Sequence, residues 1–371
     1  MAAVDEARKN LQYQAYEELN GFFSNCEDHV VEIAILPPAI EPPDGFLMRD
    51  GSNVGISKKI LALAFVEARQ RFFEGLKFGN DQSCFNSSRV ILLFDPEHIT
   101  AANYRKRKLL MVWKKESGRD DERSHEFERL EKRELVFLDT ILTSPLHRQS
   151  KSPTLWHHRF WLINLSLPLV HMHTDMASYS RFLKAELEAV FKAGEHHPKN
   201  YYAWQYARRL IVRAEELIQD APEYRKVYHE VRWSWTKDMT TWCRKHPSDI
   251  SGWSFLLFLL SKVDNVSERT TIIREVMCYA INFELKNESL WVFIRTALAS
   301  GILQEEQHTL LDLLRRHVKA ISATMTEAAR SESSPVVALR WIESSGYQEL
   351  ESSRDELWFS STIPELQKTS G

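Results

Sequence analysis

Two lysines stand five residues ahead of a tryptophan, each just before a helix is expected to begin: Lys151 before Trp156, and Lys199 before Trp204. A helix start presents free N–H groups and a partial positive charge, which favours an anion. A lysine beside it adds a mobile point charge. The same lysines equally suit exposed turns that do no more than lead into a helix. Other reactive residue types fall in patterns without chemistry. His157-His158 and His196-His197 are sequence neighbours, and neighbours on a helix do not face each other. His171 and His173 have no Cys or carboxylate set to complete a metal site, so no metal is expected on this chain. Neither a phosphate-binding Gly-x-x-x-x-Gly-Lys loop nor a Gly-x-Ser-x-Gly elbow is present. Cys26, Cys84, Cys243 and Cys278 are scattered and read as reduced thiols of a cytoplasmic protein.

The elements that must position the lysines are helices. The 371 residues contain only 12 glycines and 13 prolines, too few for the frequent turns of a β protein. Residues 4–20 read as a helix with Leu11, Ala15 and Leu19 on one face. Val30 to Leu36 reads as extended because it ends at Pro37-Pro38, and 37–56 as a loop. From Ser57, a plausible N-cap, the pattern is helical to about 342. Residues 343–371 read as an irregular tail with a last turn near Leu357-Trp358, and 114–134 as a solvated charged insertion. Three parts follow: 1–56, a helical repeat domain over 57–342, and the tail.

Within the repeat domain a pattern recurs after each break. Pro96, Pro153, Pro198 and Pro247 open segments that lead to Ala102, Trp156, Trp204 and Trp253, and a fifth segment without proline leads to Trp291. The aligned positions are separated by roughly 54, 48, 49 and 38 residues, a period that signals stacked helical hairpins. Proline suits a helix entry, and tryptophan fills the gap between paired helices. Arg105 and Arg159 stand three residues after the aligned position, on nearly the same face, where each can pair with a carboxylate of the neighbouring helix. The expected fold is all-α, with the aligned helices near 99–113, 153–166, 201–217, 249–262 and 288–300.

These segments resemble the repeat of protein prenyltransferase α subunits. Lys199-Asn200-Tyr201-Tyr202-Ala203-Trp204 is close to their Lys-Asn-Tyr-x-x-Trp signature, and Trp156-His157-His158-Arg159-Phe160-Trp161 is similarly close. Ala102, Ala207, Leu256 and Ile294 depart from it. The chain looks most like the divergent branch of repeat-containing α subunits that serves type III geranylgeranyltransferase. The resemblance implies a right-handed superhelical crescent of α–α hairpins that cups a separate catalytic β subunit, of the kind shared with the Rab geranylgeranyltransferase. That β subunit would hold the zinc, and this chain would bind no cofactor. Geranylgeranyl diphosphate would lie at the subunit interface, and the family acceptor is a farnesylated SNARE. The resemblance makes Lys151 and Lys199 candidate catalytic contacts to diphosphate, and Asn200, Tyr201 and Tyr202 candidate substrate-binding residues. Tyr202 stands where the family commonly has His, and Ser152-Pro153 where it has Asn-Tyr. The competing expectation is a tetratricopeptide-like interaction scaffold without lipid chemistry, although those repeats are near 34 residues.

A net charge of −3 gives no general attraction to nucleic acid or anionic membrane. Met1 to Asn20 carries charges throughout, so no signal peptide is expected, and no apolar run reaches the roughly 18 residues of a membrane span. The final residues, Leu366 to Gly371, hold no prenylation box, so the chain is not expected to be a prenyl acceptor.

Overall fold

The computed structural model describes residues 2–117, 126–173, 176–219, 221–324 and 326–344. It is mostly helical. The chain opens with α1 (Ala2–Asn25), followed by a small sheet of β1 (Ile33–Leu36), β2 (Leu47–Asp50) and β3 (Asn53–Ser57). Helices then follow one another: α2 (Lys58–Phe78), α3 (Asp81–Phe94), α4 (Ile99–Ser117), α5 (Glu126–Leu142), the single turn α6 (His147–Ser150), α7 (Pro153–His173), α8 (Met176–His196) and α9 (Tyr201–Gln219). After α10 (Arg225–Lys245) come α11 (Ile250–Lys262), α12 (Val266–Asn282), α13 (Glu288–Ala299), α14 (Gln307–Ser322), α15 (Glu327–Glu332) and α16 (Ser334–Ser344). The chain divides into two compact units, residues 1–235 and 236–371, with the boundary inside α10.

The expected loop at 37–56 contains two strands. β3 is the centre of the sheet, parallel to β1 and antiparallel to β2, with Ile33 opposite Val54 and Leu47 opposite Ile56. Those apolar residues are all buried. Gly51-Ser52 forms the two-residue hairpin loop, and Gly51 takes a φ of 58°, a conformation open to glycine and costly for other residues. The carboxylate of Glu18 on α1 accepts from Phe46 N–H at 3.0 Å and Leu47 N–H at 3.1 Å, tying the sheet to the first helix. Ser57 caps α2 as expected, its hydroxyl accepting from Ile60 N–H at 3.3 Å.

In the first unit α4 packs on α7, α7 on α9, and α5 on α8, while α4–α5, α7–α8 and α8–α9 pack as sequence neighbours. In the second, α11 packs on α13 and α12 on both α13 and α14. Every helix expected to carry an aligned residue is present. Residues 118–125 of the charged insertion, residues 345–371 of the tail and its turn near Leu357-Trp358 lie outside the described residues, as do the side chains of His171 and His173.

Candidate functional site

The aligned helices share one way of starting. Each opens four residues before its aligned position on a residue able to cap it: His98, Ser152, Asn200, Asp249 or Asn287. Four of the five accept a hydrogen bond from the backbone N–H three residues on: His98 from Ala101 at 3.2 Å, Ser152 from Leu155 at 3.1 Å, Asn200 from Ala203 at 3.4 Å, and Asp249 from Gly252 at 2.9 Å. This satisfies an otherwise orphaned donor in the first turn. Three caps also reach back to the preceding loop. The Ser152 hydroxyl donates to the Glu97 carboxylate, with the Pro96 carbonyl 3.2 Å away. The Asn200 amide donates to Ser150 O at 3.0 Å, and the Asn287 amide to the Ser248 hydroxyl at 2.7 Å.

The tryptophans repeat their environment as well. Trp156, Trp253 and Trp291 each donate Nε1–H to the carbonyl six residues earlier, on Ser150 (2.7 Å), Pro247 (3.0 Å) and Leu285 (2.7 Å). Trp156 lies against the Tyr206 ring, with centroids 5.2 Å apart, and Trp253 against Phe293 at 4.9 Å. In both cases the partner ring stands two residues after the next aligned tryptophan. Gly252 permits close packing around Trp253, because a Cβ there would come within 2.5 Å of the Trp242 ring. Trp204 is fully buried, and Ala102 fills the first position.

These contacts correct the alignment by proline. Pro96, Pro198 and Pro247 precede the cap by two residues, whereas Pro153 follows its cap and is the first residue of α7. The position matching those three prolines is Ser150. What recurs is the carbonyl that receives the indole, and serine or leucine supplies it as well as proline does.

The two arginines pair as expected. Arg105 Nε donates to Glu134 Oε1 at 2.8 Å and its NH2 to the other carboxylate oxygen, while NH1 donates to the Ser88 hydroxyl at 2.9 Å. Arg159 grips Glu186 through Nε (2.8 Å) and NH2 (2.9 Å), and Asp139 through NH1 (2.7 Å). Such two-point contacts fix geometry as well as charge. Burial works to raise the Glu134 carboxyl, yet Arg105 beside it holds it below the usual range. Asp139 goes the other way, raised by burial despite Arg159. Tyr206 donates its hydroxyl to Glu186, and burial lifts the phenol well above its ordinary value. His158, two residues after Trp156, is sealed against Glu134, and burial pushes its imidazole down to about 3.

The candidate site residues gather where the loops before α7 and α9 meet. The Lys151 ammonium donates to the Pro198 carbonyl at 2.9 Å, which brings it beside Lys199 in the following loop. The His147 and His197 rings meet edge to face at 5.4 Å, and His197 Nε2 lies 3.2 Å from Ser144 O. Burial, with His147, Lys151 and His196 nearby, depresses the His197 imidazole. Lys199 is exposed and takes a φ of 60°, a left-handed conformation that costs a non-glycine residue about 1 kcal/mol. Tyr201 and Tyr202 are exposed, their rings edge to face at 5.6 Å. Asn200 differs from its neighbours: it is fully buried, and its whole amide is spent on the cap and on Ser150. It positions Lys199 and the two tyrosines and offers no group to a ligand. The cluster gathers the Lys151 side chain, the exposed Lys199 and two exposed tyrosine rings around the start of α9.

A further lysine holds the same place. Lys286 stands five residues before Trp291 and is exposed, and the spacing that selects Lys151 and Lys199 selects it too. At the other two positions stand Glu97 and Ser248. Glu97 accepts the hydroxyls of Ser152 and Thr154, so a carboxylate of the chain already occupies the start of α7. The start of α9, with Lys199, Tyr201 and Tyr202 open to solvent, is the more accessible. Among the described residues no helix is long and apolar enough to cross a membrane. No curated protein matches the chain. Residues 160–280, from within α7 into α12 and including the Trp204 and Trp253 helices, match the family described as the ECM9 middle domain.

Proposed function

We propose that this chain is the non-catalytic α subunit of a heterodimeric protein prenyltransferase of the type III kind, built as a right-handed superhelical crescent of helical hairpins. Its partner is a β subunit of the Rab geranylgeranyltransferase type, which carries the zinc. Together they transfer a geranylgeranyl group from geranylgeranyl diphosphate to a cysteine of an acceptor such as a farnesylated SNARE. The observation that carries the reading is the serial recurrence of one local unit, in which a residue able to cap precedes a buried aligned residue by four and, at Trp156, Trp253 and Trp291, the indole bonds the carbonyl six residues back. Lys151, whose ammonium bonds the carbonyl of Pro198, and Lys199, the next residue in that loop, are assigned the positive charge a departing diphosphate needs. Tyr201 and Tyr202 offer aromatic surface beside it, and the chemistry that activates the cysteine belongs to the partner.

Co-expression with each type of prenyltransferase β subunit tests the reading. The expected result is a stable one-to-one complex with the Rab geranylgeranyltransferase β type. A chain that co-purifies with none of them, while holding an unrelated protein, is an interaction scaffold instead.

A further inference from the structure

The helix α4 is unlike the rest of a chain whose net charge is −3. From Ile99 to Lys115 it carries Arg105, Lys106, Arg107, Lys108, Lys114 and Lys115, and no acid precedes Glu116. Two of these cations are paired within the chain: Arg105 with the buried Glu134, and Lys108 at the surface with Asp81. Lys106 and Arg107 instead line a groove between α4 and α7. Ile99, Thr100, Asn103 and Leu110 continue it along α4, and Trp161 of α7 forms the opposite side. It is shallow and open to solvent, has a volume of about 430 Å³, and no acidic residue lines it.

The groove is prepared for an anion joined to apolar groups. The Lys106 ammonium lies 3.3 Å from His157 Nδ1 and 5.8 Å from the Trp161 ring centroid, so its neighbours are an imidazole and an indole. Burial lowers its pKa to about 8, the mark of a cation that lacks a carboxylate partner. Nearby, the Arg209 guanidinium of α9 stacks 3.8 Å above the Phe160 ring, adding a further positive charge beside aromatic surface. Ile99, 62 % exposed, and the half-buried Leu110 put apolar surface at both ends.

The shape selects a polypeptide. Positions 99, 103, 106, 107 and 110 follow one face of α4 for three turns, or about 16 Å at the helical rise. That matches three turns of a partner helix or about five residues of extended chain. We infer that this groove between α4 and α7 docks an acidic segment of a partner protein, with carboxylates on Lys106 and Arg107 and an aliphatic or aromatic side chain against Trp161 and Leu110. Complementary charge steers and orients such an encounter, and the apolar contact holds it. The inference concerns this groove alone and stands whether or not the chain's partner is a prenyltransferase β subunit.

The test needs only the full chain. A displayed library of random 16-residue peptides is selected on the wild type and counter-selected on the Arg107→Glu variant. Arg107 is exposed and has no acidic partner among the described residues, so the substitution leaves the fold intact, as circular dichroism would verify. Enriched peptides are then synthesised with a fluorescein label and titrated by anisotropy. The expected peptides combine Asp or Glu with Leu, Phe or Trp. They should bind Arg107→Glu at least fivefold more weakly than wild type, and a Lys9→Glu control on α1 without change. Exchanging their acids for lysine should abolish binding, and exchanging their apolar residues for serine should weaken it at least fivefold. Basic or uncharged winners, no winners, or equal affinity for wild type and Arg107→Glu overturns the inference. So does retention on phosphatidylserine vesicles or single-stranded RNA that Arg107→Glu abolishes while no peptide binds.

Discussion

The helices α4 and α7 carry a buried arginine three residues after the aligned position, gripped by a glutamate on the following helix, whereas α9, α11 and α13 carry Ala207, Leu256 and Ile294 there, all buried. The cap bond is present in α4, α7, α9 and α11, so it occurs in both groups, and the aligned residue is buried in all five. A buried ion pair is costly to desolvate, and a packed apolar group of similar volume is often as stable. Half a pair is what a core cannot tolerate. The two groups show that a residue able to cap and a buried aligned residue, tryptophan in four of the five, define the unit, while the ion pair is one of two ways to fill the space behind it.

Breaking one half of a pair should give the largest effect. Arg159→Leu leaves the buried Glu186 and the partly buried Asp139 without their cation and should cost about 3–5 kcal/mol, read as a shift in urea midpoint. Adding Glu186→Leu should return a large part of that loss by imitating the later units. A double variant no more stable than the single one would show that the arginine unit cannot be converted. Trp253→Ala, in the group without arginine, should cost a similar amount, about 3–5 kcal/mol, by emptying the slot beside Phe293. A cost under about 1 kcal/mol would remove tryptophan from the definition of the unit.

The cap should matter less. Asn200→Ala loses the first-turn bond and the link to Ser150 and should cost about 1–2 kcal/mol by the same measurement. Acid should separate the two groups next. The His158 imidazole, depressed to about 3 by burial, is neutral in the fold and takes a proton near pH 6.5 when unfolded. The unfolded state then binds more protons between those values, so this stability is complete above about pH 6.5 and is lost as pH falls towards 3. Tyr206 and Phe293 hold the same place in later units, so His158→Phe should flatten the fall in melting temperature between pH 7.5 and 5.5. An unchanged fall would assign the acid sensitivity elsewhere. The smallest effect is expected at Lys199, where Lys199→Gly relieves the left-handed backbone and should add about 1 kcal/mol.

Much of this arrangement was legible in the residues, because a tryptophan and a helix break are loud signals. The Trp spacing located the five helices to within a few residues at most ends, and Arg159 three after Trp156 announced its carboxylate partners. Proline misled at α7, where Pro153 sits inside the helix, since a turn needs a carbonyl in the right place and not a particular side chain. The strands at 47–57 were hidden because four- and five-residue runs are too short to show alternation, although Gly51-Ser52 between Leu47 and Val54 is a hairpin signal. At the candidate site Lys151, Lys199, Tyr201 and Tyr202 fall together, but the burial of Asn200 follows from its bond to Ser150, fifty residues away, which no local pattern reveals. Lys286 was legible by the same five-residue spacing.

The account turns on this chain serving prenyl transfer. The most direct measurement is incorporation of tritiated geranylgeranyl from its diphosphate into a farnesylated SNARE, using this chain purified together with the Rab geranylgeranyltransferase β subunit. The account predicts transfer by the pair and none by either subunit alone, with a rate at least tenfold lower when Lys151→Ala and Lys199→Ala are combined in a complex that still forms. A stable pair that transfers nothing, or one whose rate ignores both substitutions, contradicts it.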